Sequence, residues 1–472
     1  MAENGGGTYF KKCTSGEVLP NPTPASAFDR ERSPRELIPD NFGVFPEIVK
    51  SLRSKYFFIY FVGQLFSLSG FWIQQIAMSW LVLRLSPKGD LVSFSTVVFL
   101  AQIPTLFLTP FSGLVCDMFD RRKILICTQT LVMLQTFALA FLTLSGAITI
   151  PIIMSLSLFF GIVCAFDAPA RQSFYSRLVP AENLGNAIAL NSIAINATRL
   201  IGPPIGGFLI GAFGEGVCFL VNAMAFVAVL IALFLIKTKP LNLEKTGKNP
   251  LGQIAGGFVY MWKSIPLRSI VILLAAFSFF GVPFIMVFPA FVKDVLLRDS
   301  SILGVLMSCV GVGAIGCAVY LAARKSVLGL GKVVMLSCIL FGAAEIIMAF
   351  SRELWLVGLL CVPLGFGMIA VGASSNTLLQ TIVDEDKRGR IMSIFTMCLF
   401  GIPPAGSLVY GWLGKHVGLE CVMVAGGIIC VLTGLVFMKM RPIIRKHTRR
   451  IYVEKGIISE IAVGLRSTNT RI

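Results

Sequence analysis

The sequence predicts an all-α membrane protein with twelve transmembrane helices in two pseudo-symmetric six-helix bundles. Three observations carry that prediction: the composition, the length and recurrence of the apolar runs, and a repeat of one half in the other. Of 472 residues, 56% are hydrophobic and only 14% charged, and the mean hydropathy is +0.82. Soluble domains carry roughly 25% charged residues, so the chain lacks the solvating surface of an ordinary soluble enzyme. It is also far too apolar to be disordered. Apolar runs of about 18–25 residues recur from Tyr56 to Met440, each long enough to cross a bilayer as a helix.

In chain order the spans begin near Tyr56, Val92, Lys123, Ile150, Gly185 and Val217, then near Ser269, Ile302, Val333, Leu354, Ile391 and Leu419. The polar stretch 237–268, with Pro240, Lys245, Lys248 and Pro250, divides them. It reads as a cytoplasmic linker between bundles at 55–236 and 269–440. Residues 1–54 carry both charge signs, Pro and Gly, without the apolar region of a cleavable signal, and read as a disordered cytoplasmic tail. Residues 441–472 read as a basic cytoplasmic tail.

Basic residues fix the orientation. With both termini on one side, that side collects Arg121, Arg122, Lys123, the linker lysines, Arg324, Lys325, Lys332, Lys387, Arg388, Arg390 and the tail. The other side has only Arg84, Lys88, Lys293, Arg298, Arg352 and Lys415. The positive-inside rule then puts both termini in the cytoplasm. The same bias accounts for the net charge of +17. No basic domain or recognition motif stands outside the helices, so nucleic acid is not an expected partner.

Most of the 12 cysteines lie inside apolar runs, no C-x-x-C occurs, and the histidines are His416 and His447 alone. Cysteine here reads as a small packing residue, and no metal or other cofactor is expected. Zinc-protease, serine-hydrolase and P-loop signatures are missing, so the chain does not read as an enzyme.

The halves repeat. Gly113 with Arg121-Arg122 corresponds to Gly316 with Arg324-Lys325, and Pro203-Pro204, Gly206, Gly211 and Gly214 correspond to Pro403-Pro404, Gly406, Gly411 and Gly414. Six-helix halves related by an axis along the membrane normal are the plan of alternating-access carriers.

The loop after the second span reads Gly113-Leu-Val-Cys-Asp117-Met-Phe-Asp120-Arg121-Arg122-Lys123. It resembles the G-x-x-x-D-x-x-G-R-[RK] loop of the major facilitator superfamily, with Asp120 in place of the second glycine. The resemblance implies the major facilitator fold and a cytoplasmic gate of Gly113, Asp117, Arg121 and Arg122, with Arg390 as a possible partner. A carboxylate there is stabilised by a helix N-terminus and by a cationic partner. The plain alternative is a solvated basic loop that serves topology. In the second half Tyr320 stands where Asp117 would be.

Asp167-Ala-Pro-Ala-Arg171, at the end of the fourth span, resembles an element of the enterobactin-exporter-like branch of that superfamily. Its acid precedes its base by four residues, the favourable sense for a helical ion pair. Pro169 between them is expected to end or kink the helix. The pair reads as a structural corner more readily than as a ligand contact.

The fifth span, with Arg199, Gly202, Pro203, Pro204, Gly206 and Gly207, resembles the superfamily's helix-five motif, a mark of antiporters. Ser192, Asn196, Arg199, Gly202 and Gly206 fall at helical steps on one face. Gly304, Ser308 and Gly311 of the eighth span offer a matching small face for close contact. Arg199 sits near the midplane, where an arginine on lipid is costly. It reads either as a structural cation satisfied by carbonyls or as a contact for an anionic substrate. Glu345 is the one carboxylate deep in an apolar span and reads as a proton-coupling candidate, or as a polar tie between helices. Gln64, Ser67, Phe71, Gln74 and Met78 follow helical steps along the first span. With Asn196, Arg199 and the aromatic run Phe277, Phe280 and Phe284 they are the expected substrate cavity, by resemblance to the first and seventh helices of the family.

The function this implies is secondary active transport: a proton-coupled antiporter exporting a siderophore, drug or similar amphipathic solute. The expected partners are that small molecule, protons and the lipid bilayer. The expected place is the cell membrane (the inner membrane, if bacterial), and a monomer is expected. Import of a small nutrient and lysolipid flipping stand as alternatives on the same fold. A non-transporting receptor or scaffold stands as the alternative from another class.

Overall fold

Hydrocarbon offers no hydrogen bonds, so a spanning chain must satisfy its own backbone, and a helix does so within one segment. The computed structural model describes residues 50–87, 90–175, 178–236, 250–324 and 326–454. Within them, twelve helical stretches are long and apolar enough to cross a membrane. The first six are α1 (Lys55–Leu85), α2 (Leu91–Met118), α3 (Arg121–Leu144), α4 (Ile150–Tyr175), α5 (Leu184–Phe213) and α6 (Glu215–Leu235). A non-spanning helix, α7 (Pro250–Lys263), follows. Span seven is α8 (Ile265–Phe280) and α9 (Pro283–Ala290), prolonged by a π-turn at Phe291–Val295. Then come α10 (Ser300–Ala322), α11 (Leu330–Phe350) and α12 (Leu354–Ile382). Span eleven is α13 (Arg388–Thr396) and α14 (Ile402–Val417), joined by a π-turn at Met397–Gly401, and α15 (Leu419–Glu454) closes the order.

Local chemistry sets the ends. Asp90, Asp120 and Asp299 accept from the backbone N–H of Ser93, Arg122 and Ile302 and cap α2, α3 and α10. Asp120, the departure from the family loop, is therefore the N-cap of α3. The tight links α5–α6 and α14–α15 turn on Gly214 (φ 80°) and Gly418 (φ 90°), a backbone region that favours glycine.

The sequence repeat is a repeat of contacts. Gly206 lies against Ile73 of α1, and Gly406 against the Phe279 carbonyl and Pro283 of span seven. Gly211 lies against Ser301 of α10, and Gly411 against Ser95 and the Leu91 carbonyl of α2. Each motif thus holds the first helix of its own half with one glycine and reaches the other half with the second.

Three expectations change. Pro169 does not end α4, which continues to Tyr175; the Asp167–Arg171 ion pair spans the proline and holds the two turns together. The segment expected as a polar linker contains α7, which packs on α13, while its Phe258, Val259 and Trp262 are exposed. An apolar exposed face beside a docked one suits a helix lying in the membrane interface. The tail expected from residue 441 is helical to Glu454. At the other end, Ser51 and Ser54 are fastened to the 178–186 corner: Ser51 N–H donates to Asn186, and the two hydroxyls donate to the Asn183 and Leu178 carbonyls. Residues 1–49, 237–249 and 455–472, where the rest of the tail and linker readings fall, lie outside the described residues.

Candidate functional site

The two halves meet along two helix pairs, α5 with α10 and α2 with α14. At α5–α10 the contact begins at the end away from the termini. A Cβ on Gly207 would stand 2.4 Å from the Ser300 carbonyl oxygen, and one on Gly304 2.7 Å from that of Pro203. The Ser300 hydroxyl donates to the Gly207 carbonyl at 3.2 Å, and the Ser308 hydroxyl to that of Leu200 at 2.8 Å. At α2–α14 the seam runs from Leu91 against Gly414 to Leu106 against Gly401. Lys293 closes the same far side by donating to the Leu83 carbonyl of α1. Small residues let backbones approach this closely.

Towards the termini the seam stops. Among the described contacts, α5 and α10 touch down to Leu200 and Gly311, and α4 and α12 form no packing interface. Ser192 is exposed and Asn196 half-buried on the freed part of α5. The arrangement is sealed on the far side and open on the side of the termini.

The eighth-span glycines meet the fifth span as expected, but with a different face of it. Leu200, Pro203, Pro204, Gly207 and Gly211 face α10, while Gly202 and Gly206 are turned to Trp72 and Ile73 of α1. Helix α5 carries two small faces, because it must lie close to its own half and to the other half together. Arg199 shares the α1-facing side, with its guanidinium 5.3 Å from the Trp72 ring centre. Its Nε has no hydrogen-bond partner among the described residues.

Of the gate residues, Gly113 and Asp117 are on α2, but their side chains lie outside the described residues. Arg121 opens α3. Arg122 donates to the Leu233 and Phe234 carbonyls at 2.9 and 3.2 Å, satisfying the C-terminal carbonyls of α6 within its own half. Arg390 lies over Gly256 and Gly257 of α7.

Asp167 is buried between α3 and α4. One carboxylate oxygen accepts from Thr128 Oγ1 (2.8 Å) and Gln129 Nε2 (2.7 Å), and the other from the Arg171 guanidinium. Every donor comes from the same half, which is a corner and not an open site. Asp167→Asn is expected to cost about 3 kcal/mol, as for breaking a buried pair. It should appear as a lower Tm in detergent, with transport falling only as the folded fraction falls.

Glu345 is fully buried inside the second half. Its Oε1 accepts from the Tyr410 hydroxyl of α14 at 3.3 Å, and its Oε2 has no partner among the described residues. The same hydroxyl proton has a second acceptor in reach, the Phe280 carbonyl at the break between α8 and α9. Glu345 and Arg199 are not partners: they lie in different halves.

The expected cavity stripe divides. Gln64, Ser67 and Gln74 are buried in the first half, and Gln74 accepts from Asn222 of α6 at 2.6 Å. Phe277 and Phe284 are core residues packed on Phe341, while Phe280 is half-buried against Phe279. Phe71, Gln74 and Met78 come together with Gln75, Gln135 and Ser157 around a cavity of about 50 Å³ among α1, α2, α3 and α4. Gln135, Asn222 and Tyr410 are the functional candidates the sequence reading passed over. A polar side chain inside an apolar window was their signal.

The chain is similar to known proteins along most of its length. Residues 49–450 match the family of transmembrane secretion effectors of major facilitator type. It is 28% identical over 395 residues to the staphyloferrin A transporter of Staphylococcus aureus, covering 81% of this chain and 95% of that one. It is 23% identical over 371 residues to the multidrug efflux pump Tap of Mycolicibacterium fortuitum, covering 76% and 90%. Among solved structures it resembles a bacterial homologue of the iron transporter ferroportin in the inward-facing state. That likeness has a TM-score of 0.64 and 18% identity, covers 82% of this chain and 98% of that one, and shows the fold.

Proposed function

Since this chain belongs to the major facilitator family of transmembrane secretion effectors, a family of transporters and not of enzymes, we propose that it exports an amphipathic small molecule, a siderophore or a drug, in exchange for protons. The observation that carries the reading is the one-sided seam. Helices closed by glycine and serine on the far side and parted on the side of the termini are one end state of a rocking carrier. The basic bias of the terminal side makes that side cytoplasmic, so the open state faces the cell interior, the state in which an exporter loads. The relatives named for staphyloferrin A and for multidrug efflux support the substrate class. The carrier works as a single chain, with both bundles in one polypeptide.

Arg199 is the candidate contact for an anionic substrate. Half-buried on the Trp72 face with one nitrogen unpartnered among the described residues, it suits a carboxylate-bearing solute. Arg199→Gln should lower flux of a citrate-type siderophore about tenfold, the worth of one charge-assisted contact, and leave flux of a cationic drug within about twofold.

The test of the whole reading is flux in inside-out vesicles with an imposed proton gradient. Gradient-driven accumulation of a siderophore or drug that collapses with an uncoupler is the expected result. Accumulation indifferent to the gradient removes proton exchange, and none for either compound class removes export.

A further inference from the structure

Helix α15 has 36 residues, about 54 Å of helix, where a single span needs about 20 residues. Its excess is not a free rod. Ile444, Thr448 and Tyr452 recur every four residues, share one face and are buried, with Ile444 and Tyr452 in the main hydrophobic core. The extension folds over the end of the second half on the side of the termini, and beneath it a cavity of about 440 Å³ remains.

Four cations line this cavity: Lys332 from the first turn of α11, and Arg441, Arg445 and Arg449 from the extension. No described lining residue is acidic. Lys332, Arg441 and Arg445 enter no ion pair among the described residues; the ion pairs found there use other bases. Like charges gathered round one cavity repel, so Lys332, Arg441 and Arg445, without an ion pair among the described residues, suit an anion. The N-terminus of α11 adds to the field. It starts after Gly329 (φ 87°) with no side-chain cap, and a Cβ on Gly331 would meet nothing within 4 Å. The Leu330 and Lys332 N–H groups there donate to the Val327 and Gly329 carbonyls, so the helix start adds its dipole and not a row of free donors.

The opposite wall is apolar: Ile270, Leu378, Ile382 and Phe437. The cavity thus lies where the apolar stretch of α15 gives way to Arg441, the level of lipid headgroups. Outside it, Leu336 and Leu340 of α11 and Leu432 and Val436 of α15 form an exposed apolar flank fit for acyl chains. Cations, glycines at a helix start and an apolar flank at one depth recognise a phosphate joined to a hydrophobic body.

We propose that this cavity binds the phosphate head of an anionic phospholipid from the leaflet on the side of the termini, and that the lipid pins the α15 extension to the second half. The site is separate from the transport pathway, and its test needs no transport.

The test is native mass spectrometry of the full-length protein from nanodiscs of phosphatidylcholine doped with phosphatidylglycerol, with Tm measured in both lipids. Wild type should retain phosphatidylglycerol and gain thermal stability from it. Arg441→Ala with Arg445→Ala should weaken retention roughly thirtyfold, from two lost cation–headgroup contacts, and abolish the gain. Lys439→Ala with Lys446→Ala removes the same charge from exposed positions outside the lining and should change neither. Equal loss in the two pairs overturns the proposal in favour of unspecific surface attraction. If the arginine pair lowers Tm in phosphatidylcholine alone, Lys332→Gln replaces it and must weaken retention. Displacement of the lipid by millimolar inorganic phosphate overturns the assignment to a lipid and leaves a soluble phosphate site. Retention unchanged in every cavity variant removes the site.

Discussion

Replacing Gly207 with leucine is expected to lower transport about tenfold or more while the protein still folds and reaches the membrane. The Cβ alone would stand 2.4 Å from the Ser300 carbonyl oxygen, a backbone atom of the other half that cannot rotate away. Overpacking costs about 1–3 kcal/mol, and here the strain falls only on the state whose far side is sealed. Each half keeps its own core, because Gly207 touches its neighbour across the seam. A penalty of that size on one of two states shifts their ratio about 5–150-fold. The measurement is alkylation of a cysteine placed at Asn196, on the freed part of α5, from the side of the termini. In the Gly207→Leu background its rate should fall by about tenfold or more, and substrate flux with it. Gly316→Ala, where a Cβ would meet nothing within 4 Å, is the matched control and should behave as wild type. Unchanged alkylation in Gly207→Leu would sink the idea that this seam separates the two states.

The twelve spans and the glycine repeat were legible in the sequence, because each rests on a local quantity: apolar length, or the identity of a residue at a fixed step. Which way a helix faces was not. In a soluble protein the apolar face of a helix is the buried one, but lipid is as apolar as a core, so the contrast that orients a helix is largely gone. Gly202 and Gly206 could equally have faced α10; they face α1. Gln64, Ser67 and Gln74 share one side of α1, as the polar stripe of a cavity would. That side is buried, and Gln74 is satisfied by Asn222, a partner 148 residues away that no spacing announces. Phe277 and Phe284 show the same ambiguity, since a phenylalanine in a span serves core, lipid or cavity alike. The charged candidates fared differently. Asp167 and Arg171 pair within one helix, and their spacing alone pointed to that bond.

Glu345→Gln is expected to leave the fold intact and to disconnect transport from the proton gradient. The reason is a count of hydrogens. The Tyr410 hydroxyl has one proton and two acceptors in reach, the Phe280 carbonyl and Glu345 Oε1. If Glu345 is protonated, its own O–H donates to the Tyr410 oxygen and Tyr410 donates to Phe280, so every bond is made. If Glu345 is ionised, the two acceptors compete for one proton and a buried carboxylate has an Oε2 without a partner among the described residues, a cost of several kcal/mol. The other titratable groups nearby, Cys338 of α11 and Cys430 of α15, do not relieve it: the Cys338 thiol is committed to the Cys430 carbonyl at 3.2 Å. The two hydrogen-bond patterns differ at the Phe280 carbonyl, which ties the choice between them to the break in span seven. Loss of the proton frees the carbonyl at the break, which is where a helix built from two pieces can bend. Glutamine keeps an acceptor and a donor in place but can release no proton. Gradient-driven flux should fall by about a hundredfold, two charge-assisted decades in the driving step, while substrate exchange at equal concentrations stays within about twofold of wild type. Tyr410→Phe, which strips the break of its donor, should slow both processes and lower Tm by the loss of a buried hydrogen bond, about 1–3 kcal/mol. Gradient-driven flux that survives Glu345→Gln would make the residue a polar tie between helices and move the proton elsewhere.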